Sequence, residues 1–304
     1  MICTPPIPIV GSVFVSSNVP TLNTNPDYGD VEVLWVIGAT YAIGDKCAYA
    51  GRKYQRLIAG AGTTAPASDS TNWLDIGPTN QMAMFDLYRN SQTVYASPIT
   101  VVLQPGKRIN SFAIGGLEAT SVELTMTVGA TTVYNKTYML NNRKTTSWYE
   151  YYFGGFSTKP STIDFELPPY SGAQVTVTIT NTGGNVKCGA LVIGTSVYLG
   201  DAESASGSSL NFSVISRDAF GNATLVPRRS VPKTVQTLMA DRKLTDSIKK
   251  LKQETDAVPA VWCGVSNPDN GVFELLLIFG IWKNFDIDGT SHIKTRINLE
   301  VEEI

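Results

Sequence analysis

The sequence predicts a mainly β protein, and three observations point to this class. Short stretches alternate apolar and polar residues, as the strands of a half-buried sheet do. Turn residues such as Gly, Pro and Asn separate these stretches at short intervals. Gly, Ser, Thr, Val and Tyr are plentiful while charged residues make up only 16% of the chain, a composition typical of short strands joined by polar turns. At 304 residues, two or three domains are expected.

The first 30 residues are rich in Pro, Asn, Ser and Thr, and we expect them to form an arm and a linker. Residues 7–15 are interpreted as a strand-like arm and residues 16–30 as the linker. Such an arm either packs on a neighbouring subunit or stays disordered. No signal peptide is expected, because residues 1–15 contain three prolines and no basic segment.

Residues 31–79 predict a small aromatic-rich β module. The turn signals Gly44-Asp45 and Ala50-Gly51 each precede a short alternating stretch, which predicts strands at 46–49 and 53–58. About 40 residues cannot bury an ordinary core. Large aromatic side chains can substitute, since each buries roughly 150–250 Å². We therefore expect most aromatic residues of this module to form its core.

The spacing of these residues resembles the small chitin-binding type of carbohydrate-binding module. The positions that carry the resemblance are Trp35, Tyr41, Gly44, Asp45, Tyr49, Gly51, Tyr54, Pro66 and Trp73. The resemblance implies carbohydrate binding, with the candidate residues Tyr41, Tyr49, Tyr54 and Trp73. Leu57 and Ile58 stand where that family usually has a pair of exposed aromatics, and neither offers a flat ring to a sugar.

Residues 80–200 predict a β-sandwich. Apolar and polar residues alternate over 122–128, 163–167 and 175–179, and residues 191–193 are continuously apolar. Strands of this length with regular turn signals are typical of sandwiches. The order of the stretches 167–170, 175–179 and 188–194 resembles the galactose-binding-like jelly roll. Such folds either bind sugars or serve only as architecture.

A dense aromatic cluster, Trp148 to Phe153, lies inside this region. Interpreted as a strand, it would place Trp148, Glu150 and Tyr152 on one face, because neighbouring side chains of a strand alternate. One face must then belong to the core. The other is either a carbohydrate-binding platform with Glu150 as hydrogen-bond acceptor, or a surface covered by an adjacent domain.

Residues 201–304 predict a C-terminal β-sandwich or barrel with one packed helix. After a Gly/Ser-rich connection at 195–207, strands are expected at 210–216, 224–226 and 231–239, with a turn at 218–222. A helix is expected at about 244–258, with Thr245 as N-cap and Pro259 after its end. Three more strands are expected at 260–265, 273–285 and 293–301.

No catalytic site is predicted. The chain has one histidine, His292, which we interpret as a turn residue, and it lacks the nucleophile elbow, phosphate-loop and dinucleotide motifs. The carboxylate pairs Asp164/Glu166 and Asp286/Asp288 are of the kind that any β protein contains. We therefore expect neither enzyme activity nor a cofactor.

Metal, nucleic-acid and membrane partners are not expected either. The four cysteines are far apart, which predicts free thiols in apolar strands rather than disulfides or a metal site. The net charge is −2 without a long basic run, which argues against nucleic acid. The longest apolar run, residues 275–281, is shorter than the roughly 20 residues that span a bilayer.

Taken whole, the chain resembles a family of tail proteins of phages and prophages. The residues that carry this resemblance are the insert 39–75, the stretch 77–86, the aromatic cluster 148–153, Asp218-x-Phe220-Gly221-Asn222 and Pro259-x-Val261-Trp262. It implies a structural component of the tail or its distal tip in the baseplate region, synthesised in the host cytoplasm and located in the virion.

The C-terminal strand–helix–strand pattern also resembles the ring-forming domain of tail tube and distal tail proteins. This implies that the chain assembles with copies of itself in a symmetric ring and with other tail proteins. Attachment to host cell-surface glycans is a further role that the resemblance allows. The alternative function is a free carbohydrate-binding protein or an accessory protein of a glycoside hydrolase.

Overall fold

The computed structural model describes residues 1–88, 90–142, 147–153, 157–289 and 293–304. Strands account for 47% of the chain and helices for 12%, which confirms the mainly β class. The chain forms two compact units. The C-terminal unit comprises Met1–Pro6, Ile163–Glu166 and Ile193–Ile304, and the central unit comprises Ile7–Thr162 and Leu167–Val192.

The described strands up to residue 164 are, in chain order, β1 Ile2–Thr4, β2 Phe14–Ser17, β3 Thr40–Tyr41, β4 Lys46–Tyr49, β5 Arg52–Arg56, β6 Gly60–Ala61, β7 Trp73–Pro78, β8 Thr93–Tyr95, β9 Ile99–Leu103, β10 Ser111–Gly115, β11 Ser121–Val128, β12 Thr131–Met139, β13 Asn141–Asn142, β14 Ser157–Thr158 and β15 Thr162–Asp164. Those that follow are β16 Gln174–Thr180, β17 Val186–Cys188, β18 Ala190–Gly194, β19 Val197–Tyr198, β20 Asp201–Asn211, β21 Val214–Arg217, β22 Ala223–Val226, β23 Ser230–Asp241, β24 Ala260–Cys263, β25 Leu277–Asp288 and β26 Lys294–Glu303.

Helices are few and short among the described residues. The α-helices are α1 Trp148–Phe153, α2 Thr245–Glu254 and α3 Phe273–Leu276. Single 3₁₀ turns occur at Gly11–Val13, Pro26–Tyr28, Pro66–Ser68, Ala83–Phe85 and Arg242–Leu244.

The small module, residues 31–79, lies in the central unit and is built on the sheet β4-β5-β7. Ala50 and Gly51 form the two-residue turn between β4 and β5, with φ of 50° and 79°. Positive φ at both positions matches the twist of a tight hairpin. A side chain at Gly51 would also lie 2.9 Å from Met82 Cγ. The predicted strand 46–49 is confirmed, while the second strand begins at Arg52 because the turn places it opposite Tyr49.

The central unit also contains the five-stranded sheet β12-β11-β16-β9-β2. Its strands pair antiparallel, and alternate residues point into the core, as the sequence pattern predicts. The residues buried in this way include Ile99, Val101, Leu103, Val122, Leu124, Met126, Val175, Val177 and Ile179. The strands β10 and β18 are buried along their whole length, which explains the continuously apolar run at 191–193.

The predicted strand-like arm at residues 7–15 is wrong. A 3₁₀ turn at Gly11–Val13 interrupts this stretch, and the strands lie on either side of it, at Ile2–Thr4 and Phe14–Ser17. The prolines at 5, 6 and 8 lack the N–H group that a strand ladder needs, so β1 is followed only by an isolated bridge between Pro6 and Gly194. β1 instead pairs with β24 inside the C-terminal unit, where the Cys3 side chain is fully buried.

The C-terminal unit is built on a seven-stranded sheet with the order β19-β1-β24-β25-β26-β23-β20. Ile248 and Leu251 of α2 pack into its core, which confirms a helix packed on this sheet. The sheet residues of that core include Cys3, Leu238, Ala260, Trp262, Ile278, Phe285, Ile297, Leu299 and Val301.

The predicted bounds of this helix, 244–258, are wrong at both ends. Thr245 is the first residue of α2 rather than its N-cap, and its hydroxyl lies 2.8 Å from the hydroxyl of Thr295. Helical structure ends at Glu254, and Ala257 has a φ of 56°, which a helix does not allow. The predicted strand 273–285 is wrong over its first residues, because α3 occupies Phe273–Leu276.

A long hairpin, residues 201–241, forms one side of the C-terminal sheet. β20 pairs with β23 from Asp201 opposite Met239 to Asn211 opposite Ser230, and β21 pairs with β22 further out. The predicted Gly/Ser-rich connection at 195–207 is therefore wrong at β19 and again from residue 201 onwards. Pairing with β23 gives this stretch its backbone hydrogen bonds despite its weak strand composition. A Cβ at Gly207 would lie 2.3 Å from Leu275 Cδ1, so the exposed Leu275 side chain would have to move.

Candidate functional site

The aromatic residues of the small module form its core. Tyr54 and Trp73 are 6% and 2% exposed, and they pack together with Cys47. Tyr41 meets the Trp73 ring edge-on at 4.9 Å between centroids, and Tyr49 lies in the same way against Trp35. These contacts confirm that most of the aromatics serve as core.

The faces of the Trp73 ring are already occupied in the folded module. The Arg56 guanidinium lies 4.8 Å from the centroid of this ring, close enough for a cation–π contact. Tyr41 is fixed by its hydroxyl group, which accepts a 2.8 Å hydrogen bond from the Val36 N–H. Leu57 and Ile58 are 42% and 51% exposed, and both are aliphatic. They offer no aromatic face to a sugar.

The cluster Trp148–Phe153 is a helix and not the predicted strand. Residues four apart share a face on a helix, whereas residues two apart do not. The predicted grouping of Trp148, Glu150 and Tyr152 on one face is consequently wrong. Trp148 and Tyr152 still meet, with ring centroids 6.4 Å apart and planes inclined by 22°, while Glu150 lies on another side. Tyr149 pairs separately with Phe153 at 5.2 Å.

The aromatic rings of α1 are exposed to an unusual degree. Every one of them is at least 50% exposed, namely Trp148, Tyr149, Tyr151, Tyr152 and Phe153. Large apolar groups that stay uncovered on a soluble protein mark surfaces of interaction. In the sequence the helix lies between the strands β13 and β14, which pair with each other. Because its rings are exposed and those of Trp148 and Tyr152 are nearly parallel, α1 remains a candidate carbohydrate-binding surface.

The carboxylate pairs are engaged in local structure. Asp164 is 5% exposed, and its side chain accepts a 2.8 Å hydrogen bond from the Glu166 N–H. Asp286 accepts one from the side chain of Asn284 at 2.9 Å. His292 lies outside the described residues. Within the described parts of the chain, no cluster of three His, Cys, Asp or Glu residues is arranged to hold a metal ion.

All four cysteines are free and buried, as the sequence predicts. Burial raises the pKa of Cys47 to about 11 and the pKa values of Cys188 and Cys263 to about 12. It also raises the pKa of Cys3 well above its usual value. These thiols stay protonated near neutral pH, so none of them is a ready nucleophile or metal ligand.

The predicted strands 210–216, 224–226 and 231–239 indicated the outer part of the long hairpin, but the sequence did not indicate that β20 extends it back to Asp201. β20 is an edge strand of the described sheet, and nearly all side chains of β20, β21 and β22 are exposed. The large exposed apolar residues of the hairpin are Leu210, Phe212, Val214, Ile215, Phe220, Leu225, Val226 and Val235. The turn signal at 218–222 and these strands were the available clues, because the Ser/Gly-rich β20 has no strand-like apolar alternation.

Comparison with protein-family models, with curated proteins and with solved structures found no match to this chain. None of the helices in the described residues has both the length and the apolar character needed to cross a membrane.

Proposed function

We propose that this chain is a structural component of a bacteriophage tail or of its distal tip, in the baseplate region. In this proposal it assembles with copies of itself in a symmetric ring and contacts other tail proteins. The observation that carries the proposal is the long hairpin, whose outer strand and apolar side chains are uncovered. The proposal assigns the chain no catalytic role.

The chemistry of β20 favours a partner that covers it. An edge strand presents unpaired N–H and C=O groups, and monomeric proteins usually protect such edges with lysine, proline or a short strand. β20 spans Asp201–Asn211 and contains neither lysine nor proline. Leu210 and the neighbouring Phe212 add apolar surface that is exposed to water. Pairing with a strand of a partner molecule would satisfy the backbone groups of β20 and would bury this apolar surface at the same time.

Identical copies favour a closed symmetric assembly. Each copy has the same exposed hairpin, and contacts that repeat by rotation close into a ring. The resemblance to tail proteins supports this arrangement, because two of its motifs lie in the C-terminal unit. Asp218 to Asn222 forms the tip of the hairpin, and Trp262 lies in β24, where its indole N–H donates to the Gly280 carbonyl.

Electron microscopy tests the position of the chain in a particle. An antibody against the full-length chain, detected with gold, should label the tail or its distal end on intact phages that encode the chain. Negative-stain class averages of the purified protein should show rotational symmetry. Virions without label, together with single-copy particles in the class averages, would contradict the proposal.

The second candidate function is a free carbohydrate-binding protein or an accessory protein of a glycoside hydrolase. The exposed rings of α1 favour it, because sugars stack on uncovered aromatic faces. The tail-component proposal also includes attachment to host cell-surface glycans. Sedimentation with insoluble chitin and cell-wall polysaccharide separates the candidates. A monomer that binds them through Trp148 supports the second candidate, and an assembled ring supports the first.

A further inference from the structure

A polar cleft of about 400 Å³ opens in the central unit, beside the small module. Three parts of the unit line it: residues 23–32, the strands β5 and β7 of the module, and residues from 80–88 and 90–92. Binding sites for small molecules usually have volumes of roughly 300–1,000 Å³. The cleft is therefore large enough for a small ligand.

Buried hydrogen bonds hold the walls of the cleft in place. Glu32 is 6% exposed, and its two carboxylate oxygens accept hydrogen bonds from the backbone N–H groups of Asn23 at 2.9 Å and Asn80 at 2.7 Å. The Asn80 side chain in turn exchanges two 2.9 Å hydrogen bonds with the backbone of Val94. A cleft that is ordered before binding loses less entropy when a ligand enters.

Asp86 supplies hydrogen-bond acceptors at this cleft. One oxygen accepts from the Tyr88 N–H at 2.9 Å and the other from the Ser91 hydroxyl at 2.6 Å. A carboxylate offers about four acceptor positions, and the hydrogen bonds from Ser91, Tyr88 and the Asp86 backbone leave part of that capacity for a ligand. Burial raises the pKa of Asp86, because water solvates its charge poorly. Hydrogen bonds from a ligand would replace part of that missing solvation.

The cleft has two further features: hydrogen-bond donors that have no partner among the described residues, and an exposed aromatic side chain. Among the described residues, neither the Lys53 amine nor the Asn90 amide makes a hydrogen bond or ion pair, whereas Arg52 is held by Asp75. Tyr88 is 48% exposed and contributes part of the lining. The Tyr28 ring also lines the cleft and is fixed against another ring, that of Tyr95, at 5.2 Å.

We propose that this cleft binds a short saccharide of one or two neutral hexose units. Sugar hydroxyls both donate and accept, so they match a carboxylate with free acceptor positions and an amine and amide with free protons. The exposed face of Tyr88 offers stacking to the apolar side of a sugar ring. Charges of both signs line the cleft, which disfavours a strongly charged ligand.

This inference deepens the proposed function, because it rests on the contact with host glycans that the tail-component proposal includes. It places that contact on Lys53, Asp86 and Tyr88 rather than on the aromatic core of the small module. Each chain would hold the sugar weakly, with a millimolar dissociation constant. A ring of copies would raise the avidity by roughly 10²–10⁴ through simultaneous binding.

Saturation-transfer NMR on the full-length protein tests the inference. The probes are glucose, galactose, N-acetylglucosamine and their disaccharides at about 10 mM, above the expected dissociation constant. At least one should receive saturation from the wild-type protein. Lys53→Met and Asp86→Asn should each weaken binding about tenfold or more, because each removes a charged hydrogen-bonding group. Lys107→Met, which changes an exposed lysine elsewhere in the same unit, is the matched control and should bind normally.

Two results would overturn the inference. One is the absence of saturation transfer to every sugar of the panel. The other is binding that survives both cleft substitutions. Among the described residues the Lys53 side chain has no hydrogen-bond or ion-pair partner, so Lys53→Met should melt at the wild-type temperature, and a melting curve separates a lost signal from unfolding. The same variant should assemble as the wild type does, so failure of sugar binding and failure of ring assembly are distinguishable.

Discussion

Two tryptophans of this chain show how burial decides the role of an aromatic residue. Trp73 is 2% exposed and forms the centre of the small module, whereas Trp148 is 78% exposed on α1. Removing the first leaves a cavity, and removing the second removes only a surface contact. The residue type is the same in both cases, so the difference comes from the surrounding chain.

Trp73→Ala should lower the unfolding free energy of the central unit by about 3–5 kcal/mol, because a large buried ring is lost. Trp73→Phe should cost less, since a ring still packs against Tyr41 and Arg56. Phe also removes the buried indole N–H, which has no hydrogen-bond partner in the described structure. Urea denaturation followed by circular dichroism measures these changes.

Trp148→Ala is the matched control for this series, and its effect should stay within about 0.5 kcal/mol. A Trp73→Ala protein as stable as the wild type would show that Trp73 is not part of the core.

The buried cysteines should not react with Ellman's reagent in the folded protein at about pH 8. Burial raises the thiol pKa values to about 11 or 12 for Cys47, Cys188 and Cys263, and the protonated thiol is not the nucleophile. In urea all four thiols should react. Because the folded pKa values exceed the unfolded ones, the contribution of these thiols to stability should be constant below about pH 8 and should fall as the pH rises towards the folded values. Rapid labelling of the native protein would contradict the burial.

The tip of the long hairpin depends on a single carboxylate. Asp218 accepts hydrogen bonds from the backbone N–H groups of Phe220 at 2.9 Å and Asn222 at 2.8 Å, and also from the Asn222 side chain. These hydrogen bonds, above all the one from the Asn222 side chain, lower the pKa of Asp218. Gly221 completes the turn with a φ of 85°.

The order of this tip should therefore depend on pH. A lowered folded pKa means that the contribution of Asp218 is complete above the unfolded pKa, near 4, and is lost as the pH falls through the folded value. Amide exchange at Asn222, followed by NMR, should accelerate over that range. Asp218→Asn keeps an acceptor and should abolish the pH dependence. The wild-type exchange rate of the Asn222 amide is corrected for the intrinsic pH dependence of exchange. A corrected rate that stays constant over this pH range would refute the role of Asp218.

Local signals predicted some elements of the fold and failed for others, for physical reasons. The turn Ala50-Gly51 predicted the hairpin β4–β5 because positive φ at two successive residues is a local requirement. The cluster Trp148–Phe153 has aromatic residues at nearly every position, so its sequence fits a strand and a helix equally well. β20 is a strand because β23 pairs with it, and that partner lies beyond any local sequence window.

The candidate sites were predictable only in part. Size and aromatic content indicated that Tyr54 and Trp73 belong to the core of the small module. The cleft was not predictable, because Glu32, Lys53 and Asp86 come from three separated segments and carry no shared motif. Their proximity depends on the fold of the whole unit.

At the scale of the whole chain, the N-terminus completes a sheet whose other strands come from residues 197–303. β1 lies between β19 and β24, and the Cys3 side chain is fully buried. Deleting residues 1–4 should therefore lower the melting temperature of the C-terminal unit by several degrees, because a strand and its buried side chains are lost. Thermal unfolding of the truncated and full-length chains is the measurement.

Replacing Val10, an exposed residue outside β1, with Ser is the matched control and should change the melting temperature little. An unchanged melting temperature after the deletion would mean that β1 is not part of the folded sheet. An isolated segment 208–304 lacks β1 and most of β20, so assembly is better measured on the full chain.

The central claim is that copies of this chain assemble through the long hairpin. Size-exclusion chromatography with light scattering, applied to the full-length protein, measures the molar mass directly. The wild type and the control Val272→Ser should each form a single species at two or more times the chain mass of 32.8 kDa. The double variant Phe212→Ser with Ile215→Ser should be a monomer. A wild-type protein that stays at the mass of one chain at high concentration, or a double variant that assembles as the wild type does, would contradict it.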